Sequence, residues 1–334
     1  MAIRAYAAKG KREQLVPFEY DPGTLGPNDI EIAITHCGIC RSDIHLINDD
    51  WGISQYPLVP GHEIVGTVMA VGLEVHGLVE GNRIGVGWQC GACLECEWCA
   101  SGHDNICPEG QATCAGNFGG FAEAIIVDSR YAFPIPESLA SENAAPLLCG
   151  GITVYSPLRR FGVRPDMRVG VVGIGGLGHL ALQFAHAFGC EVTAFSSTAQ
   201  KEAEARVFGA DHFVTSVDKG QLEAAAGTQD FIIATANVDL DWQAYVNCLR
   251  PLGNLCFVGA VPGPIQVHSM ALIVGSKSVS GSPIGSRQMI REMLDFAARH
   301  NIEARTEVVP MSQVNQAIAR VVANQARYRM VLKN

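Results

Sequence analysis

Polar and apolar residues alternate with period two over residues 29–34, where Ile30, Ile32 and Ile34 share one side and Asp29 and Glu31 the other. That is the pattern of a half-buried strand. Residues 64–71 and 121–127 are further β-like runs bounded by glycines. Around residue 150 the pattern changes. Residues 168–172 read as a buried strand, 177–188 as a helix stopped by Gly189, and 191–195 as the next strand. A second helix, 200–208, closes on Gly209, whose missing Cβ suits a left-handed cap. Strand–helix–strand alternation of this kind predicts a parallel sheet. Toward the end, Met289, Ile290, Met293, Leu294 and Ala297 fall on one helical face, as do Val314, Ile318 and Val321. The expectation is an α/β protein of two domains, one β-rich and one with a parallel sheet.

A length of 334 residues suits two domains of about 150 residues each. Hydrophobic residues make up 48% and charged residues 17%, which excludes intrinsic disorder. A net charge of −9 argues against a nucleic-acid surface. Residues 1–12 contain no apolar core of a secretory signal. The longest apolar stretch, 169–190, is broken by glycines and carries His179, Gln183 and His186, so no membrane span is expected. A soluble, cytoplasmic protein follows as the expectation. Its twelve cysteines then stay reduced, which directs attention to metal or catalysis before disulfides.

Gly173-Ile174-Gly175-Gly176-Leu177-Gly178 follows a predicted strand and opens a predicted helix. In that setting glycines let the turn close and bring the backbone against a pyrophosphate, which the helix N-terminus stabilises. The next strand carries the finer information. A site for NAD ends it with Asp or Glu to bind the ribose 2′-OH. Here Ser196, Ser197 and Thr198 follow Phe195, with Lys201 three residues on. Hydroxyls and an ammonium would hold a 2′-phosphate that a carboxylate would repel, so NADP(H) is favoured. A helix N-cap from Ser197 or Thr198 is the plainer use of the same residues.

Five cysteines lie between Cys90 and Cys107. Cys93, Cys96, Cys99 and Cys107 can wrap a tetrahedral zinc ion with no open position, a structural site. Cys90, Cys93 and Cys96 share the same spacing, so spacing leaves the register open. Glu95, Glu97, His103 and Asp104 make the segment too polar for a plain core, and the acidic balance disfavours a nucleic-acid zinc ribbon. A second set is dispersed: Cys40-Arg41-Ser42-Asp43-Ile44-His45, His62-Glu63 and Cys149. Spacing alone does not bring these together, and a lone Cys or His is usually structural.

Taken with Tyr56-Pro57-Leu58-Val59-Pro60-Gly61-His62-Glu63 and Leu147-Leu148-Cys149-Gly150-Gly151-Ile152-Thr153-Val154-Tyr155-Ser156-Pro157-Leu158, the chain resembles the zinc-dependent medium-chain alcohol dehydrogenases over nearly its whole length. Ser196-Ser197, Lys201 and Ala326-Arg327-Tyr328-Arg329 carry the likeness to the cinnamyl alcohol dehydrogenase group. Glu19-Tyr20-Asp21-Pro22-Gly23, Trp51-Gly52-Ile53-Ser54-Gln55-Tyr56-Pro57, Val192-Thr193-Ala194-Phe195-Ser196-Ser197 and Asp241-Trp242 bring it nearer to the bacterial and cyanobacterial NADPH-dependent aldehyde reductases of that group.

The resemblance implies a catalytic zinc on Cys40, His62 and Cys149, with Glu63 as an alternating or neighbouring ligand. It implies the structural zinc on Cys93, Cys96, Cys99 and Cys107, leaving Cys90 outside. The implied fold is a GroES-like β-rich catalytic domain, 1–149 with 288–334, and a Rossmann doubly wound domain, 150–287, in a homodimer. Arg41, where many of the group have His, is expected at the cofactor pyrophosphate, and Thr153 near the nicotinamide. Thr235, Gly259, Ser282 and Ile284 complete the expected cofactor contacts. Trp51 and Ile284 are expected to line the substrate pocket, where Pro283 is a departure.

The implied reaction is hydride transfer between NADP(H) and a small-molecule aldehyde or primary alcohol, mainly reduction of aliphatic and aromatic aldehydes. Zinc acts there as a Lewis acid on the substrate oxygen. Ser42 and His45 form the implied proton relay, although read alone Ser42 is a turn hydroxyl and His45 a surface imidazole. Asp43 is placed to orient His62. The alternatives are an enzyme specialised for cinnamaldehyde-type substrates and a non-catalytic zinc protein that binds NADPH.

Overall fold

The structure is a computed structural model and describes residues 2–334. Its contacts divide the chain into two compact units: residues up to Ile152 together with Ile284–Asn334, and Thr153–Pro283. Among the described residues no helix is long and apolar enough to cross a membrane.

The first unit is built on a sheet in the order Thr306–Pro310, Arg329–Lys333, Asp29–Ile39, Ile64–Val71, Arg83–Val86, Ala132–Pro134. All of its pairings are antiparallel except that between Thr306–Pro310 and Arg329–Lys333. Asp29–Ile39 is the spine. Its first half pairs with Ala124–Asp128 and its last residues with Arg329–Lys333. Register shifts after Glu31 and Ile34 bend it, letting one strand serve both neighbours. Ile30, Ile32 and Ile34 are buried, as their alternation predicts, with Ile64, Val68, Ile84, Ile125, Met330 and Leu332 in the same core.

The predicted strand at 121–127 begins later, as Ala124–Asp128. Phe121 is engaged elsewhere, its N–H donating to Pro60 O and its carbonyl accepting from Tyr6 N. The helix Arg287–His300 buries Ile290, Met293, Leu294 and Ala297, while Met289 is only half-buried. Between the short strands Gln89–Gly91 and Gln111–Ala112 lies the cysteine-rich lobe, holding only the turn Glu97–Ala100 and the 3-10 turn Asp104–Ile106.

The second unit is a six-stranded parallel sheet in the order His212–Thr215, Glu191–Ser196, Arg168–Val172, Gln229–Ala234, Leu249–Phe257, Ser278–Gly281. Counted along the chain this is 3-2-1-4-5-6, the doubly wound order that binds dinucleotides where the winding reverses. Val169, Val171, Val172 and Phe231 to Ala234 are buried, the near-continuous apolar run of strands covered on both faces. The first predicted helix is Gly178–Ala187, and Gly189 ends it at φ +81 with its N–H on His186 O. The second is split into a 3-10 turn, Ala199–Lys201, and the helix Glu202–Val207, with Gly209 following at φ +99.

Candidate active site and metal centres

Sheet register assembles the dispersed set. Cys37 pairs with Ile64 and Ile39 with Met330. Continuing both antiparallel ladders past the strand end sets Cys40 opposite the Gly61-His62 turn and beside Arg329. Cys40 is the N-cap of the helix Arg41–Ile47, and its N–H donates to Asp43 Oδ2 at 2.8 Å. Asp43 is fully buried, and its other oxygen accepts from Gly61 N and His62 Nδ1, both at 2.9 Å. One carboxylate thus holds the strand end, the turn and the imidazole.

Because Nδ1 is taken by Asp43, His62 meets the cluster through Nε2, a buried atom with no hydrogen-bond partner of normal geometry among the described residues. The ligand atoms of Cys40, His62, Glu63 and Cys149 lie within 4.8 Å of one another, and Cys40 Sγ is 3.8 Å from Cys149 Sγ. Two sulfurs bound tetrahedrally at about 2.3 Å are about 3.8 Å apart. Both the sulfur spacing and the orphaned nitrogen fit a zinc ion. Three neutral or anionic donors of this kind leave one position for substrate.

Charge in the cluster is arranged for a cation. The hydrogen bond from Cys149 holds Cys40 well below the ordinary thiol range, and the same contact, with burial, pushes Cys149 well above it. Burial opposes a charged His62, but Asp43 and Cys149 outweigh it and raise its pKa. Glu63 is pushed up by burial and pulled back by Arg329, with which it forms a buried ion pair. Its second oxygen, Oε2, has no hydrogen-bond partner among the described residues. A Cβ on Gly38 would come within 2.0 Å of that oxygen, so only glycine fits beneath it. The Asp43 wiring makes a prediction. Asp43→Asn is expected to lower zinc affinity and kcat/KM by about 10- to 100-fold, measured by chelator competition and steady-state kinetics. Full zinc content with full activity would refute the orienting role.

Beside the cluster stands an aromatic wall. The Trp88 ring is edge-on to His62 at 5.0 Å and to Trp51 at 6.1 Å, and Trp51 lies 5.2 Å from the His45 ring. Ser42 Oγ is 3.7 Å from Cys40 Sγ. His45 Nδ1 is bonded to Asp50 Oδ2 at 2.8 Å. Arg41 donates to Asn324 Oδ1 at 2.9 Å.

The second cluster is Cys93, Cys96, Cys99 and Cys107. Cys93 lies 3.5 Å from Cys107 and 3.9 Å from Cys99, with Cys96 3.8 Å from Cys107. Backbone N–H groups of Glu95 and Cys96 hold the Cys93 thiol down to about 7. Cys90 stands apart, near Gln111 O and Asn117 Nδ2.

In the second unit Gly173 has φ +90, and a Cβ on Gly178 would come within 1.9 Å of Gly173 O. A Cβ on Gly175 would meet nothing within 4 Å, so that glycine leaves open space above the turn. Thr235 Oγ1 donates to Val172 O and Gly173 O, stitching the strand ends where the winding reverses. A Cβ on Gly259 would strike Ala236 O at 2.4 Å. Ser196 is buried and its Oγ accepts from Thr198 N. Ser197 and Thr198 are exposed, and Thr198 precedes its 3-10 turn without a side-chain cap bond. Lys201 Nζ donates to Ile174 O at 2.6 Å, arching over the glycine turn. Thr153 and Ser282 are buried and Ile284 half-buried.

Three neighbours of the metal cluster escape a reading of the sequence. Arg329 opens an otherwise apolar strand that also ends on a basic residue, Lys333, Trp88 follows a glycine with no periodic signal, and Cys114, 3.6 Å from His62 Nδ1, lies outside every cysteine spacing. Arg329 is brought there by strand pairing, and Trp88 and Cys114 by the loops that flank the short strands Gln89–Gly91 and Gln111–Ala112.

A three-ligand cluster at a strand end, a four-sulfur lobe and a doubly wound dinucleotide fold together define a zinc-type dehydrogenase. The Alcohol dehydrogenase GroES-like domain family matches residues 26–137 and the Zinc-binding dehydrogenase family residues 176–299. An aldehyde reductase of Synechocystis is 46% identical over 332 residues, 99% of each chain. A solved cinnamyl alcohol dehydrogenase of Sorghum bicolor superposes with a TM-score of 0.96 at 40% identity, covering 100% of this chain and 98% of that one. The cinnamyl alcohol dehydrogenase of Helicobacter pylori, solved with NADP(H), gives 0.92 at 32% identity, covering 100% and 99%. The chain belongs to the zinc-dependent medium-chain alcohol dehydrogenases, in their cinnamyl alcohol dehydrogenase group.

Proposed function

We infer that the protein is an NADP(H)-dependent reductase of aliphatic and aromatic aldehydes, working through one catalytic and one structural zinc ion. The observation that carries this reading is the buried, unpartnered His62 Nε2 beside the thiols of Cys40 and Cys149. A zinc ion held by Cys40, His62 and Cys149 would supply Lewis acidity to the substrate oxygen, and a bound nicotinamide would supply the hydride.

The chain's own residues do the rest. Cys40 and Cys149 neutralise the cation, while Asp43 fixes the tautomer of His62. Arg329 balances the charge of Glu63 next to the sulfurs. Trp51 and Trp88, edge-on to one another beside His62, offer aromatic surface for an aldehyde to pack on. Ser42 Oγ delivers the proton to the new alcohol oxygen, and His45, bonded to Asp50, returns it from solvent. Arg41 binds the cofactor pyrophosphate and Thr153 flanks the nicotinamide. Gly173, Gly175, Gly176, Leu177 and Gly178 cradle the phosphates.

Ser197, Thr198 and Lys201 hold the 2′-phosphate. They leave no carboxylate there to repel it. The test is cofactor oxidation against a panel of aldehydes. NADPH is expected to exceed NADH in kcat/KM by about 100-fold, and Lys201→Ala to remove about tenfold or more of that preference. A preference for NADH would contradict the reading. The aromatic wall favours conjugated rings, so cinnamaldehyde against medium-chain aldehydes separates the specialised alternative.

A homodimer is part of the proposal. Ser278–Gly281 is an edge strand, and Leu252, Met270, Ile273 and Val274 nearby are 80%, 61%, 66% and 81% exposed. A cytoplasmic setting accords with twelve cysteines that are all free thiols.

A further inference from the structure

The cysteine lobe and the segment that opens the helix Arg287–His300 are far apart in the chain, yet the structure ties them at two points. Asn105 Nδ2 donates to Ile284 O at 2.8 Å. Asp104, buried, accepts on Oδ2 from Arg287 N at 3.3 Å and from Arg287 Nε at 3.2 Å. These two residues open the 3-10 turn that leads directly into Cys107. Gly285, next in the chain after Ile284, is pressed against Ile152: a Cβ on it would come within 2.5 Å of Ile152 Cδ1. Ile152 stands three residues after Cys149. Residues 284–287 therefore connect the last sulfur of one cluster to the last ligand of the other.

The arrangement has a physical logic. Residues 284–286 precede the helix and have no ladder of their own to fix the Ile284 carbonyl. A hydrogen bond from a half-buried amide fixes that carbonyl, and the Asp104 carboxylate also sits where a helix N-terminus favours negative charge. We propose that Asn105 and Asp104 are positioning residues that set the place of Ile284, so the sulfur lobe shapes the pocket wall as well as holding itself folded. This rests on the reading of Ile284 as a pocket residue.

Asn105→Asp is the test, made in zinc-replete protein, because it keeps the shape but turns a donor into an acceptor facing a carbonyl. Hydrogen exchange over residues 284–290 is expected to speed by about tenfold, and KM for the aldehyde to rise by about tenfold with kcat within about twofold. Asn105→Gln, which restores an amide donor, is expected to recover much of both, and zinc content to stay unchanged in each variant. Unaltered exchange over that segment would overturn the proposal. Faster exchange with an unaltered KM, or a loss confined to kcat, would overturn it as well. Should the parent protein reduce no aldehyde, the proposed function falls, whereas the exchange measurement still decides whether Asn105 holds the segment.

Discussion

Replacing Cys149 with alanine is expected to abolish turnover, lowering kcat/KM by about 10⁴-fold or more, roughly 5.5 kcal/mol of transition-state stabilisation. The cause is local. Cys149 and Cys40 supply the anionic charge of the three-donor set, and His62 Nε2 is the neutral donor. With one thiol removed, the remaining Cys40 and His62 cannot hold the cation in a water-excluded site. The fold is expected to survive, because the side chain lost is small and its neighbours Leu147, Leu148 and Ile152 remain fully buried. Steady-state kinetics, zinc analysis and a melting curve on one preparation separate the effects. Retained turnover would remove Cys149 from the metal site.

Replacing Cys99 is expected to do the reverse, lowering stability far more than chemistry. The lobe between Gln89–Gly91 and Gln111–Ala112 has only two short turns and leaves Trp98 and Ile106 exposed at 42% and 44%. Such a segment has too little core to order itself, whereas four thiolates on zinc contribute about 10 kcal/mol or more to folding. Breaking the set by Cys99→Ala is expected to cost about 3–5 kcal/mol net and lower the melting temperature by about 10 °C. The change is measured by calorimetry and zinc content. Normal zinc stoichiometry and an unchanged melt would mean that another thiol, with Cys90 the first candidate, completes the site.

How much of this was legible in the sequence differs between the two units. In the parallel-sheet unit the signal is local. Strand Arg168–Val172, the glycine turn and helix Gly178–Ala187 are contiguous, and each has a periodicity that sequence displays directly. Between 199 and 208 a 3-10 turn and a short helix share one apolar pattern, so periodicity shows them as a single helix. In the β-rich unit the spine strand announced itself through Ile30, Ile32 and Ile34, but the cluster at its end did not. Cys40, the His62 turn and Arg329 meet because two antiparallel pairings of the spine strand end there, Cys149 arrives from the turn that follows Ala145–Leu148, and neither register nor that turn is written in residue spacing. The grouping of Cys40, His62 and Cys149 is what the family resemblance implies, and the partner role of Arg329 follows from the strand pairing that brings it to Glu63.

The most direct test of the account is metal analysis of pure, active protein alongside its Cys149→Ala and Cys99→Ala variants. Two zinc ions per chain are predicted for the parent, with one lost in each variant and activity following the ion at Cys40, His62 and Cys149. Full aldehyde reduction by protein carrying zinc only among Cys93, Cys96, Cys99 and Cys107, or carrying none, would contradict it.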